Sequence, residues 1–144
     1  MTRRILILIV GTCAFLNAAA QVVVTGVTSD CIASSSQRTA GVDVFIFPKS
    51  AQLANLIDSV LKASDDNVFN RFNKLIKYVK SAKALSHTKS DNTGSFRAEI
   101  PELDKVIVFG YMETEDNPLY WMYSEVDTSH RSRVSVALDY CRPH

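Results

Sequence analysis

The sequence contains few of the residues that support metal, redox or nucleophilic chemistry. It has three cysteines and three histidines in 144 residues, and no two of them form the closely spaced pairs of a zinc site. Basic and acidic residues number 16 and 15, so the net charge does not call for nucleic acid or an anionic membrane as partner. There is no internal repeat, and low complexity is limited to Ser34-Ser35-Ser36. These absences argue against zinc modules, repeat arrays and nucleic-acid-binding proteins.

Long hydrophobic runs are also scarce, and the only one lies at the N-terminus. It spans Ile5 to Leu16, follows Arg3-Arg4 and precedes the small residues Ala18-Ala19-Ala20. This order predicts a signal peptide, residues 1–20, that is cleaved after Ala20. The run is shorter than the roughly 20 residues of a membrane span, and no later segment is a candidate for one. We therefore expect a secreted or periplasmic protein without a transmembrane segment after cleavage. An uncut N-terminal anchor and a lipoprotein modified at Cys13 are the alternatives.

The predicted mature chain, residues 21–144, has the length of a single domain. It keeps two cysteines, Cys31 and Cys141, in a compartment where thiols oxidise. We predict that these two residues form a disulfide that ties the two ends of the domain together. Two free thiols or an intermolecular bridge remain as alternatives.

Most of the mature chain shows the patterns of β-strands. Short β-branched or alternating segments end at turn residues. Residues 33–39 read as a polar loop. The strand-like segments are Val22–Val27, Val42–Phe47, Ser95–Ile100, Lys105–Met112, Leu119–Val126 and Val134–Cys141. There are six such segments, or seven strands if the extended residues that lead into a turn at residues 91–94 are counted. Strands that do not alternate with helices predict a mainly β fold, an antiparallel sandwich of two sheets.

Between the second and third of these segments, about forty residues show helical periodicity. Ser50 is suited to cap a helix, and each of two helices has one apolar side. The apolar positions are Leu53, Leu56, Ile57, Val60 and Leu61, then Val68, Phe69, Phe72, Leu75, Ile76, Val79 and Ala82. The short connection predicts an antiparallel helical hairpin within residues 48–87.

The stretch TKSDNTGSF, residues 88–96, has the chemistry of a tight turn. The Asp91 carboxylate can accept hydrogen bonds from backbone N–H groups ahead of it, and Gly94 can adopt a positive φ. Phe96 is then expected to point into the core. We therefore assign Asp91, Gly94 and Phe96 a structural role.

The order of VVVTGVTSD, AGVDVFIF, TKSDNTGSF and IPELDKVIVFGY resembles the carboxypeptidase regulatory-like domains, which are small transthyretin-like sandwiches. Thr88, Ser90, Asp91, Gly94 and Phe96 match the turn motif of that family. The resemblance covers about 70 residues and implies a β-sandwich. The chain departs from the family by inserting the helical hairpin, and it lacks the C-terminal motif of the transthyretin-like hydroxyisourate hydrolases.

Two groups of residues are candidates for partner binding. Arg71, Lys74, Lys77 and Lys80 follow the side of the second helix away from its apolar face, where they could meet an acidic partner, a polysaccharide or an anionic lipid surface. Tyr120, Trp121 and Tyr123 form the densest aromatic cluster, and alternation separates Tyr120 from the other two. The alternative interpretations are a solvated helix face and core packing. The hairpin itself is either a cover for one sheet or the element that binds a partner.

Evidence for catalysis is weak. Ser124, Asp127 and His130 lack the sequence context of a nucleophile elbow, and Glu113 to Asn117 lack the pattern of a calcium loop. We predict no catalytic residue, cofactor or metal. The first hypothesis is an exported, non-catalytic module for binding or structural support, with an unknown protein or polysaccharide partner and no nucleic acid. The alternatives are a small secreted enzyme or enzyme inhibitor, and an accessory subunit that docks to a larger envelope complex through the hairpin.

Overall fold

A computed structural model describes residues 20–32, 35–64, 67–114 and 120–140. Within them, eight strands and two helices are arranged as a mainly β sandwich with helices on one side. In chain order the elements are β1 Gln21–Ile32, β2 Ser35–Arg38, β3 Asp43–Pro48, α1 Ala51–Leu61, α2 Val68–Ser81, β4 Ser86–Lys89, β5 Ser95–Pro101, β6 Lys105–Met112, β7 Tyr120–Asp127 and β8 Arg133–Tyr140.

The first sheet is built around β1. Along one edge, β1 pairs antiparallel with β5 over residues 21–27 and with β2 over residues 29–32. Along the other edge it pairs with β8 in parallel, from Val23 opposite Arg133 to Asp30 opposite Tyr140. The first and last strands described are therefore neighbours, with β1 in the middle of the sheet and β8 at its edge.

The second sheet has the order β4-β3-β6-β7, with every pair antiparallel. Its inner face packs against the first sheet through alternating residues such as Val44, Val108 and Met122. Its outer face carries Phe47, Ile107 and Phe109, and these are buried as well. Because β6 is covered on both faces, it reads as a continuous apolar run without alternation.

The helical hairpin covers the outer face of the second sheet. Leu53, Ile57 and Val60 of α1 and Phe72, Leu75 and Val79 of α2 form a second core with that face. Ser50 caps α1 as predicted, since its hydroxyl accepts a hydrogen bond from the Leu53 amide at 3.2 Å. The molecule thus has three layers, one of helices and two of sheet.

Two features differ from the predicted architecture. Residues 35–38, interpreted as loop, form strand β2, which brings the number of strands described to eight. The β1–β8 pair is parallel in a sandwich predicted to be antiparallel. A parallel pair needs a crossover connection, and here the chain reaches β8 from β7 of the opposite sheet. Cys141 lies outside the described residues, so the predicted disulfide stays a prediction.

The turn at residues 91–94 is built around Asp91. One oxygen of its carboxylate accepts hydrogen bonds from the Thr93 amide at 2.8 Å, the Thr93 hydroxyl at 2.7 Å and the Ser95 amide at 3.0 Å. The Thr93 hydroxyl bond, followed by the two amide bonds, lowers the pKa of Asp91 below its ordinary value of 3.8. The carboxylate therefore keeps these hydrogen bonds to a lower pH than an unbonded aspartate would.

Two residues just outside the turn anchor it to the sandwich. The buried Ser90 hydroxyl accepts a bond from the Val42 amide at 2.9 Å and donates to the Thr39 carbonyl at 3.0 Å. Phe96 is buried and lies opposite Gly26 in the β1–β5 register. A Cβ atom at Gly26 would lie 2.4 Å from the Phe96 ring, so the glycine provides the space that the ring fills.

Replacement of Gly94 by alanine is expected to destabilise the protein more than the same change at Gly41. Both glycines have a positive φ, +72° and +77°, which costs other residues about 1–2 kcal/mol. A Cβ at Gly94 would also meet the Thr28 carbonyl oxygen at 2.8 Å, whereas nothing lies within 4 Å of one at Gly41. Urea denaturation of both variants measures the difference. Equal midpoints would show that the packing around Gly94 adds nothing to the backbone cost.

Candidate functional site

A groove runs between α1 and the outer face of β7, where the helical layer meets the edge of the second sheet. Its volume is about 140 Å³. The lining is apolar at the centre and acidic at the rim, and consists of Ala54, Ile57, Asp58, Leu61, Ile107, Tyr123 and Glu125. We call it the α1–β7 groove. It contains two of the three large hydrophobic residues that the structure describes as exposed, Leu61 at 56% and Tyr123 at 41%.

The aromatic rings beside this groove form a continuous stack. The Tyr123 ring lies 6.0 Å from the Trp121 ring at an interplanar angle of 16°, and Trp121 lies 5.8 Å from Phe109 at 25°. Phe72 of α2 packs against Trp121, with ring centroids 6.1 Å apart. Tyr123 is therefore the exposed end of a stack rooted in the second core, and its orientation is fixed by packing.

Lysines hold both carboxylates at the rim. Glu125 pairs with Lys49 at 2.6 Å and with Lys105 at 3.8 Å, while Asp58 pairs with Lys62 at 2.7 Å one turn along α1. The hydrogen bond from Lys49 lowers the pKa of Glu125, and the Lys105 charge adds to the effect. The rim of the groove thus presents two carboxylates as hydrogen-bond acceptors, each with an ammonium donor close by.

A second groove, of about 640 Å³, continues past the N-terminal end of α1. It is lined by Pro48, Lys49, Ser50, Ala51, Ala54, Leu103, Asp104 and Lys105. Ala54 lines both grooves, and its small side chain separates them. We call the second one the Lys49–Lys105 groove.

The three predicted aromatic residues are divided between the two faces of β7. Trp121 and Tyr123 lie on the outer face, next to the α1–β7 groove. Tyr120 lies on the inner face, is 5% exposed, and donates its hydroxyl to Thr39 at 3.1 Å. Its burial raises the pKa of the phenol. Of the three, Tyr123 is exposed, Trp121 is partly buried and Tyr120 is buried.

The four predicted basic residues of α2 do not form one surface. Arg71 is half-buried and donates to the Ser59 carbonyl at 2.9 Å, which joins the two helices. Lys80 pairs with Glu113 at 2.7 Å, above the Tyr111 ring, and that hydrogen bond raises the pKa of Lys80. Lys74 and Lys77 are exposed, without a hydrogen bond or ion pair to the described residues. Of the four, Lys74, Lys77 and Lys80 are thus exposed, and whether they bind a partner stays a prediction.

Lys80 instead lines a shallow polar pocket of about 320 Å³ on the other side of the hairpin. The remaining lining is Gly41, Asp43, Lys89, Tyr111, Met112 and Glu113. The Asp43 carboxylate lies 3.1 Å from Nε2 of His87 and 3.6 Å from the ammonium group of Lys89. The positive and negative groups of this pocket balance each other pairwise.

The residues considered for nucleophilic chemistry are not assembled into a site. The Asp127 carboxylate accepts bonds from the amide and the hydroxyl of Ser129, at 2.9 and 2.5 Å. The exposed His130 instead donates its backbone amide to Glu102 at 3.0 Å. Within the described ranges, no group of three or more His, Cys, Asp or Glu side chains is placed to hold a metal ion.

Several groove residues carry no signal in the local sequence. Asp58 and Lys62 read as an ordinary surface pair on a helix, and Lys49, Lys105 and Glu125 read as isolated charges on strand ends. They become neighbours only because the hairpin folds back over β6 and β7. Tyr123 was the one groove residue with a recognisable signal, its position in an aromatic cluster.

Comparison with known proteins supports the fold. Neither a protein-family model nor a curated protein matches the sequence. Among solved structures, a protein of Pseudomonas aeruginosa for which carbohydrate binding has been proposed is similar, with a TM-score of 0.57 and 16% identity. The match covers 85% of this chain and 90% of that one. The likeness at this identity is one of fold, a β-sandwich.

Two Gram-positive pilins also match, at lower similarity. They are the shaft pilin SpaA of Lactobacillus rhamnosus GG, with a TM-score of 0.41 and 12% identity, and the minor pilin GBS52 of Streptococcus agalactiae, with 0.44 and 10%. The matches cover 87% and 88% of this chain, and 52% and 47% of the pilin chains. This chain thus spans about half of their length.

The helices of the described residues lack the length and apolar character needed to cross a membrane. The arrangement is compatible with a non-catalytic module for binding or structural support.

Proposed function

We propose that this protein is an exported, non-catalytic carbohydrate-binding module and that its ligand occupies the α1–β7 groove. The observation that carries the proposal is the exposed Tyr123 ring, which stacks on Trp121 beside the carboxylates of Asp58 and Glu125. A sugar ring has one apolar face and a rim of hydroxyls. The Tyr123 ring suits the apolar face, and Asp58 and Glu125 suit the hydroxyls.

The fold comparison supports the same function. Carbohydrate binding is what has been proposed for the P. aeruginosa protein, which shares the sandwich over most of its length. Export after cleavage at Ala20, to the periplasm or the medium, would place the module where polysaccharides are found. Membership of the carboxypeptidase regulatory-like domains, with residues 21–144 as one domain and 48–87 as its insertion, is part of the proposal.

Replacement of Tyr123 by alanine is expected to weaken sugar binding about tenfold, since aromatic packing contributes roughly 0.5–1.5 kcal/mol beyond the area buried. Tyr123→Phe keeps the ring and should bind within about twofold of the wild type. Isothermal titration of the mature protein with a panel of neutral oligosaccharides measures both. Phe69→Ala is the matched control, because Phe69 is similarly exposed, at 50%, and does not line the groove.

A loss of affinity in Phe69→Ala equal to that in Tyr123→Ala would contradict the assigned site. Absence of binding to every member of the panel would contradict the function.

Docking to a larger envelope complex is the second candidate. The observation that favours it is the exposure of Leu61 and Phe69 on either side of the turn between the helices. Exposed apolar side chains on the hairpin are what a docking subunit requires. In that case Phe69→Ala, rather than Tyr123→Ala, would impair the function of the protein.

A further inference from the structure

The grooves on the two sides of Ala54 are parts of one path along α1. The helix residues that line them are Ala51, Ala54, Ile57, Asp58 and Leu61, and successive turns of the helix each contribute one or two of them, so that they form one stripe along it. From Ala51 to Leu61 this stripe is about 15 Å long, at a rise of 1.5 Å per residue. A path of this length exceeds what a single sugar ring occupies.

The two parts of the path differ in size and share one wall. The α1–β7 groove, at about 140 Å³, is small compared with the roughly 300–1,000 Å³ of ligand pockets, whereas the Lys49–Lys105 groove, at about 640 Å³, lies within that range. Ala54 lines both grooves, and the ion pairs of Glu125 with Lys49 and Lys105 join the wall of one groove to the wall of the other. A large side chain at position 54 would divide the path in two.

The polar groups along the path serve a ligand that both donates and accepts hydrogen bonds. Its lining offers the ammonium groups of Lys49 and Lys105 and the carboxylates of Asp58, Asp104 and Glu125. Counted with Lys62, which pairs with Asp58 at the rim, three positive and three negative charges balance, so the path has no net charge to attract a polyanion. The hydroxyls of a neutral sugar chain can pair with groups of either sign.

We infer that the site binds an extended, neutral polysaccharide, with one sugar ring on Tyr123 and the following units passing Ala54 towards Lys49 and Lys105. This inference rests on the proposed carbohydrate-binding function and specifies its ligand. In this arrangement the sugar unit on Tyr123 stacks on the aromatic ring, and the units beyond Ala54 form hydrogen bonds with the polar groups of the Lys49–Lys105 groove. Affinity should therefore depend on chain length.

The test uses neutral glucose and N-acetylglucosamine oligomers of one to six units, with uronic-acid oligomers of the same lengths as acidic probes. One of the two neutral series should bind to the wild-type protein. Its affinity should increase at least tenfold with chain length and level off by six units. The acidic oligomers should bind more weakly at every length.

The variant Ala54→Phe should remove the length dependence, so that the six-unit oligomer loses at least tenfold in affinity and binds no more tightly than the single sugar does to the same variant. Asn55→Phe places the same ring on the exposed neighbouring position of α1, outside both grooves, and should bind as the wild type does. Ala54→Leu, which perturbs the fold less, should give an intermediate loss. Thermal unfolding of each variant checks that the domain is intact.

The outcomes separate this inference from the function on which it rests. If all lengths bind equally, or if Ala54→Phe binds long oligomers normally, the extended path is wrong while carbohydrate binding stands. Tighter binding of the acidic series would overturn the neutral ligand. If no sugar binds at any length, the proposed function fails, and the inference fails with it.

Discussion

Truncation of Leu75 to alanine is expected to lower the free energy of unfolding by about 2–5 kcal/mol, the cost of removing a large aliphatic side chain from a packed core. Leu75 is fully buried in α2, in the core that the hairpin forms with Phe47, Ile107 and Phe109. A loss of this size is a large part of the 5–15 kcal/mol that stabilises a typical domain. Urea denaturation of the mature protein under oxidising conditions is the measurement.

The control for Leu75→Ala is Asn73→Ala, at an exposed position of the same helix. Its effect should stay within about 0.5 kcal/mol, as for most surface substitutions. If both variants unfold at the same urea concentration, the hairpin is an appendage and its contact with the sheet contributes no stability. The expected difference would instead establish that the inserted helices are part of the core, and that a binding role for the hairpin is confined to the residues that it leaves exposed.

Loss of the Cys31–Cys141 disulfide is expected to have an effect of similar size. We propose this bridge from the oxidising destination of the chain, and the register of the first sheet supports it. The parallel pairing of β1 with β8 is described up to Asp30 opposite Tyr140, and the cysteines are the next residues in the two sequences. Closing a loop of about 110 residues is worth at most roughly 4–5 kcal/mol in the chain-entropy model.

The comparison is between the oxidised wild-type protein and the variant in which both cysteines are replaced by serine. Intact mass with and without reduction shows whether two hydrogens are lost on oxidation, and urea denaturation gives the stability. In reducing buffer the two proteins should unfold at similar urea concentrations. Detection of two free thiols in the exported, unreduced wild type would refute the bridge.

The elements with strong local patterns could be predicted from the sequence, because local physics decides them. The helices begin and end near the predicted residues, since Ser50 caps the first and the apolar side of each becomes buried. The fold class followed from strands that do not alternate regularly with helices. In contrast, β2 was missed because it is a polar ribbon, held to β1 by backbone hydrogen bonds with no apolar alternation to reveal it.

The features that create the site depend on contacts that are distant in sequence. Alternation separated Tyr120 from Trp121 and Tyr123, yet it could not show which face is exposed, because both faces of the second sheet are covered. A helical projection placed Arg71 on the polar side of α2 without showing that α1 would lie against it. The grooves on the two sides of Ala54 exist only where the hairpin meets the sheet.

The position of β1 has a consequence for how the chain must fold. Its partners β5 and β8 begin more than seventy and more than one hundred residues later, so neither edge of β1 is satisfied by these partners until most of the chain is present. Contacts so distant in sequence make folding slow, and unpaired strand edges invite association with other chains. Folding therefore proceeds best once the whole chain is present, before β1 can pair with another molecule. Until then β1 is the segment that a chaperone holding the unfolded chain would most usefully shield.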